Sequence, residues 1–153
     1  MSNILDIELN GVKYKAEWSW RFIEAFKQET GKNFAHMCSQ VYNAVSQMEK
    51  YGYSKLEPHE SHNEITERVT EVFDHHSAAH MLYNAFKLQN PMVTIEEIQD
   101  HMMKVGLNPN DGWQYVVFQY ALFCISYGGT EEKKSLKPSL LQRLNSALFQ
   151  QTS

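Results

Sequence analysis

The sequence predicts a mostly α fold: a compact helical domain of about five to six helices with an N-terminal β-hairpin and a C-terminal amphipathic tail. Three observations carry this reading. Apolar residues recur at three- and four-residue spacing through most of the chain, which is the periodicity of one helix face. Asn10-Gly11 sits between two alternating runs, and both residues accept the positive φ that a type I′ hairpin turn demands. The chain has 153 residues, 42% apolar and 21% charged. That is enough for one real core but not for two, and too apolar for a disordered chain.

Residues 4–18 alternate around the turn, and Ile7, Leu9, Val12 and Tyr14 are expected to share the buried face. Two strands alone are marginal in water, so the hairpin must pack on helices. Ser19 is placed to cap a helix that ends near Thr30, with Gly31 taking the left-handed conformation beyond it and Phe22, Ile23 and Phe26 as its apolar stripe. Asn33 caps a second helix, with Phe34, Met37, Cys38, Val41, Val45 and Met48 on one side. The pattern collapses from Gly52 to Ser61, which reads as an irregular loop. Ile65, Val69, Val72 and Phe73 give a third helix, which Asp74 ends or interrupts.

Ala78 to Leu88 forms the next stripe, with Leu82, Tyr83 and Phe86 inward, until Asn90-Pro91 stops it. Thr94-Ile-Glu-Glu97 is a capping box, and Val93 and Ile98 are placed for the accompanying hydrophobic staple. That helix ends before Gly106. Asn110 or Asp111 caps a last core helix through Tyr127. It is apolar nearly all round, so it is either the centre of the domain or covered by another subunit. The helical domain therefore runs over residues 1–127. Residues 128–153 are a charged linker starting at Gly128-Gly129 and, from Pro138, an appended segment with Leu140, Leu141, Leu144 and Leu148 on one side.

Charge narrows the function. Lys and Arg total 14 against 18 acidic residues, a net −4, which gives no general attraction to nucleic acid or anionic lipid. The helix-turn-helix order over residues 94–123 offers no basic residue from Asn108 to Gly129 to reach base edges. The longest apolar stretch, Tyr115 to Ser126, falls short of the ~20 residues of a membrane span. The first residues carry no basic region followed by an apolar run, so no signal peptide is expected. Cys38 and Cys124 lie in apolar patterns and are expected as buried thiols in a reducing cytoplasm.

No catalytic constellation is visible. The chain lacks a Gly-x-Ser-x-Gly elbow and a Gly-rich phosphate loop, and Glu96-Glu97 is explained by the positive end of a helix dipole. His75, His76 and His80 form the one candidate metal cluster, since a spacing of four can present two imidazoles to an ion. A catalytic Glu beside two histidines is missing, as is any Cys-x-x-Cys, so solvated or core-edge histidines are expected. No enzyme activity, cofactor or metal is expected. Eight Tyr, eight Phe and three Trp exceed what so small a core must bury, which predicts exposed apolar patches of the kind that mark protein contacts. Trp113 and Tyr120, with Leu140, Leu141, Leu144 and Leu148, are the expected partner-binding residues.

The order of elements also resembles a known family. Ile7-Glu-Leu-Asn-Gly-Val-Lys-Tyr14 leads into Trp18-Ser-Trp-Arg-Phe-Ile-Glu-Ala-Phe26. Ala79-His-Met-Leu-Tyr-Asn-Ala-Phe-Lys-Leu-Gln-Asn-Pro91, Thr94-Ile-Glu-Glu-Ile-Gln-Asp-His-Met102 and a closing apolar helix follow. Over about residues 4–126 this resembles the tail assembly chaperones of long-tailed bacteriophages, the lambda G-protein-like group, in pattern rather than in an invariant motif. The resemblance implies a helical, self-associating chaperone in the host cytoplasm that coats the aggregation-prone tape measure protein before tail tube polymerisation. It also implies, in many members, a longer frameshifted form whose extra domain recruits the tail tube protein. A structural or adaptor protein of the virion tail, of the tail-completion type, is the alternative expectation.

Overall fold

The turn residues Asn10 (φ 53) and Gly11 (φ 78) both adopt positive φ, as the sequence predicts for a two-residue hairpin. In the computed structural model, which describes residues 2–50, 67–106 and 112–127, they join β1 (Ile4–Leu9) to β2 (Val12–Glu17). The register pairs Leu9 with Val12, Ile7 with Tyr14 and Leu5 with Ala16, so these six share a face. Ile7, Leu9, Tyr14 and Ala16 are buried, whereas Val12 remains 40% exposed. Val12 was expected inside. It has the right face, but it sits beside the turn, at the end of the strand pair.

Helix α1 (Trp20–Thr30) begins and ends as its sequence dictates. The Ser19 side chain accepts from the Phe22 amide, and Gly31 (φ 73) donates its N–H to the Lys27 oxygen at 2.7 Å. Phe22 and Phe26 are buried, with Ile23 at the edge of the same face. Helix α2 (Phe34–Lys50) is capped by Asn33, whose Oδ1 accepts from the His36 amide at 3.1 Å, and buries Phe34, Met37, Cys38 and Val41. The side chains of Val45 and Met48, residue Ile65 and the loop expected from Gly52 to Ser61 lie outside the described residues.

The described part of α3, residues 67–72, buries Val69 and is followed by buried Phe73. Asp74 ends it, because its side chain caps α4 (His75–Lys87) by accepting from the Ser77 amide. Helix α4 buries Ala78, Leu82 and Phe86, while Tyr83, expected inward, packs only at the margin. Helix α5 (Ile95–Val105) begins with Thr94 accepting from the Glu97 amide. Rather than reaching back to complete the capping box, the Glu97 carboxylate takes the Tyr14 hydroxyl at 2.5 Å and so fastens α5 to the hairpin.

Helix α6 (Trp113–Tyr127) is the axis of the core. Every residue from Trp113 to Leu122 is buried, and Cys124 with them. The chain itself therefore covers this helix, and its all-round apolarity requires no second subunit. The cap expected at Asn110 or Asp111 lies outside the described residues. β1 and α2 pack against α6, β2 and α5 against α4, and α1 against α2 and α4. All described elements feed one hydrophobic core. Residues 128–153, with the appended amphipathic segment, lie outside the described residues.

Candidate functional site

The aromatic surplus goes inward. Phe34 packs within 4.8–6.1 Å of the rings of Trp18, Phe22, Phe26, Phe73 and Tyr120. Tyr14 stacks on Phe86 at 4.5 Å. Edge-to-face and offset arrangements at such spacings are favourable beyond the area they bury. The expectation that aromatic excess would spill onto the surface therefore fails among the described residues, where Trp20 is the only aromatic among the exposed large hydrophobics. The rings pack among buried aliphatic side chains such as Leu9, Leu82, Ile98 and Val117.

Of the expected partner-binding residues, Tyr120 is fully buried in this cluster. Its hydroxyl donates to the Glu17 main-chain oxygen, so it is a core residue and no surface contact. Trp113 is 6% exposed, but it forms part of a groove wall. Leu140, Leu141, Leu144 and Leu148 lie outside the described residues.

That groove is the candidate site. It has a volume of about 1120 Å³ and runs between α4, α5 and the start of α6. Helix α5 presents Gln99, Met102, Met103 and the following Gly106 to it, a three- and four-residue spacing that makes one face. Helix α4 contributes His75, His76 and Ala79, and α6 contributes Trp113 and Gln114. Met103 is 81% exposed, whereas Met102 is buried, so the paired methionines form floor and lip. The Trp113 amide donates to the Gly106 oxygen at 3.4 Å, which closes the corner between α5 and α6. Gly106 itself has φ 73 and ψ −159, a combination essentially reserved for glycine.

The polar groups of the groove are settled or spare. Asp74 at the rim is held at a pKa of about 2, chiefly by the Ser77 N–H, with the Ser77 hydroxyl and Lys32 assisting. It is ionised at any physiological pH. Gln114 is buried, and its Oε1 has no hydrogen-bond partner.

The histidines do not converge on an ion. The His76 and His80 rings lie 4.5 Å apart, tilted against each other, and His80 Nδ1 lies 2.7 Å from Glu29 Oε1. His75 is exposed beside them. Among the described residues no group of three or more His, Cys, Asp or Glu side chains could hold a metal. Cys38 and Cys124 are both buried, and burial pushes both thiols up, so neither is an activated nucleophile. Among the described residues no helix is long and apolar enough to cross a membrane.

A second cleft, of about 630 Å³, lies beside the hairpin and is lined by Asp6, Glu8, Lys13, Tyr14, Lys15, Gln89, Asn90 and Gln119. Lys15 and Asp6 neutralise each other at 3.1 Å. A cleft of compensated, solvated charge offers little to an apolar partner, which leaves the methionine groove as the better site.

Sequence reasoning reached Trp113 and the histidines but missed α5. Its signal was present as Gln99, Met103 and Gly106, flanking the buried Ile98 and Met102. The buried Glu17 was missed as well. It receives Gln89 Nε2 at 2.7 Å and Arg21 at 3.0 Å, together with the Ser19 hydroxyl. Burial alone would raise its carboxyl, but these donors outweigh it and hold the pKa below the ordinary range. Compared with family models, with curated proteins and with solved structures, the chain matches none.

Proposed function

We propose that this protein is a binding module that holds an amphipathic helix of another protein, and that it acts as a tail assembly chaperone for a tape measure protein in the host cytoplasm. The observation that carries the binding reading is the open, methionine-lined groove between α4, α5 and α6. Methionine is unbranched and polarisable, so a Met-lined groove adapts to different apolar faces without strict sequence recognition. Helix-in-groove docking needs an apolar trough with a polar rim; Met102, Met103, Ala79 and Trp113 form the one, and His75, His76 and Gln99 the other. The step from binding module to tail assembly rests on the sequence resemblance over residues 4–126, and so do the tail tube protein as a second partner and the homo-oligomeric state.

Co-expression with the tape measure protein of the same phage tests the reading. The expected result is that the tape measure protein moves from the pellet to the soluble fraction, that Met103→Lys reverses this, and that finished tails contain none of this chain. A tape measure protein equally insoluble with and without the chain would refute the chaperone reading. Recovery of the chain in finished tails would favour a structural tail component.

A further inference from the structure

We infer that the segment 138–149 of this chain docks in its own groove as an intramolecular placeholder that a partner helix must displace. The inference rests on the groove being a helix-docking site and assigns the regulation of that site. Leu140, Leu144 and Leu148 are spaced by four, with Leu141 beside them, so in a helix they make the apolar stripe such a groove accepts.

Reach and charge favour this occupant. Helix α6 leads from the groove at Trp113 to Tyr127, about 20 Å at the rise of an α-helix. The next ten residues, 128–137, extend to about 33 Å, so Pro138 can return to the α6 start. A tether of ten residues holds the segment at an effective concentration on the order of millimolar, so even a weak site fills. Residues 128–153 carry four basic residues, Lys133, Lys134, Lys137 and Arg143, against Glu131 and Glu132, a net +2. That leaves residues 1–127 with ten basic against sixteen acidic, a net −6. Opposite net charges draw the tail onto the domain and set its salt dependence.

The test uses the full chain throughout, with a fluorescein-labelled peptide of residues 138–153 as probe and anisotropy as readout. Leu144→Ser with Leu148→Ser in the chain should empty the groove. The labelled peptide should then bind this variant roughly tenfold or more tighter than the unaltered chain, because the tethered competitor is gone. Adding Met103→Lys, at an exposed lip position that leaves the fold intact, should remove the gain, and raised salt should reduce it. Equal peptide affinity for the two chains would overturn the inference, as would a gain indifferent to Met103→Lys. A difference that changes with protein concentration would also overturn it, since the occupant would then come from a second copy. If the peptide result fails while the tape measure protein is still solubilised, only the placeholder is lost; the reverse outcome removes the chaperone reading and leaves the placeholder standing.

Discussion

The Tyr120 hydroxyl donates to the main-chain oxygen of Glu17 at 2.6 Å, joining residues 103 positions apart in a buried contact. It ties the central helix to the end of the hairpin, at the point where β2 hands over to α1. Tyr120→Phe keeps the ring and removes only the donor, leaving a buried carbonyl unsatisfied. The expected cost is about 1–2 kcal/mol, read as a lower urea midpoint at unchanged slope. An unchanged midpoint would mean that the hydroxyl contributes nothing.

Phe34 is the ring on which the others converge. Phe34→Ala should cost about 3–5 kcal/mol, since the packed cluster relaxes only partly around the void. Equilibrium denaturation monitored by tryptophan fluorescence checks this, because Trp18 lies 5.7 Å from the ring.

Two carboxylates set the acid limit. Glu17 and Asp74 both titrate lower in the folded chain than the ordinary 4.5 and 3.8. A depressed folded pKa means that the stabilisation is complete above the unfolded value and disappears as pH falls through the folded one. For Asp74 that window runs from 3.8 down to about 2. Thermal midpoints of the native chain should therefore drop across this acid range. The advantage over Asp74→Asn and Glu17→Gln should be full at pH 7 and shrink below about pH 4. A constant advantage at all pH values would contradict the assignment.

Gly106 holds the corner of the groove in a conformation that other residues rarely adopt. A Cβ there would meet nothing within 4 Å, so the cost of Gly106→Ala is backbone strain alone, about 1–3 kcal/mol. Thermal melting measures it. A cost near zero would show that the corner relaxes freely.

Met103→Lys should separate binding from folding. The side chain is 81% exposed, so stability should move by no more than about 0.5 kcal/mol while affinity for an amphipathic helix falls. A variant that melts much earlier would place Met103 in the core after all.

Local chemistry made most of the fold legible. Asn10-Gly11, Ser19, Gly31, Asn33 and Thr94 each encode a turn or a cap through their own backbone preference or side-chain oxygen, and the structure uses each as read. What failed were inferences about where a surface lies. Val12 and Tyr120 have the character of their faces, but exposure depends on what the rest of the chain lays over them. Glu17 gave no warning, because a buried carboxylate is tolerated only when distant donors such as Gln89 arrive to satisfy it. The groove was half legible. Periodicity shows that α5 has a second face with Gln99 and Met103, but only the fold shows that this face opens onto His76 and Trp113.

The position of α6 constrains how the chain can be made. Tyr120 touches Phe22 and Phe34, and the hairpin closes on the same helix, so the first third of the protein waits for the last of its described elements. A nascent polypeptide halted before residue 113 carries Phe22, Phe26 and Phe34 with no centre to enclose them. Synthesis must run past Tyr127 before the molecule can condense, and stalled or proteolysed N-terminal pieces are expected to be sticky debris rather than working fragments.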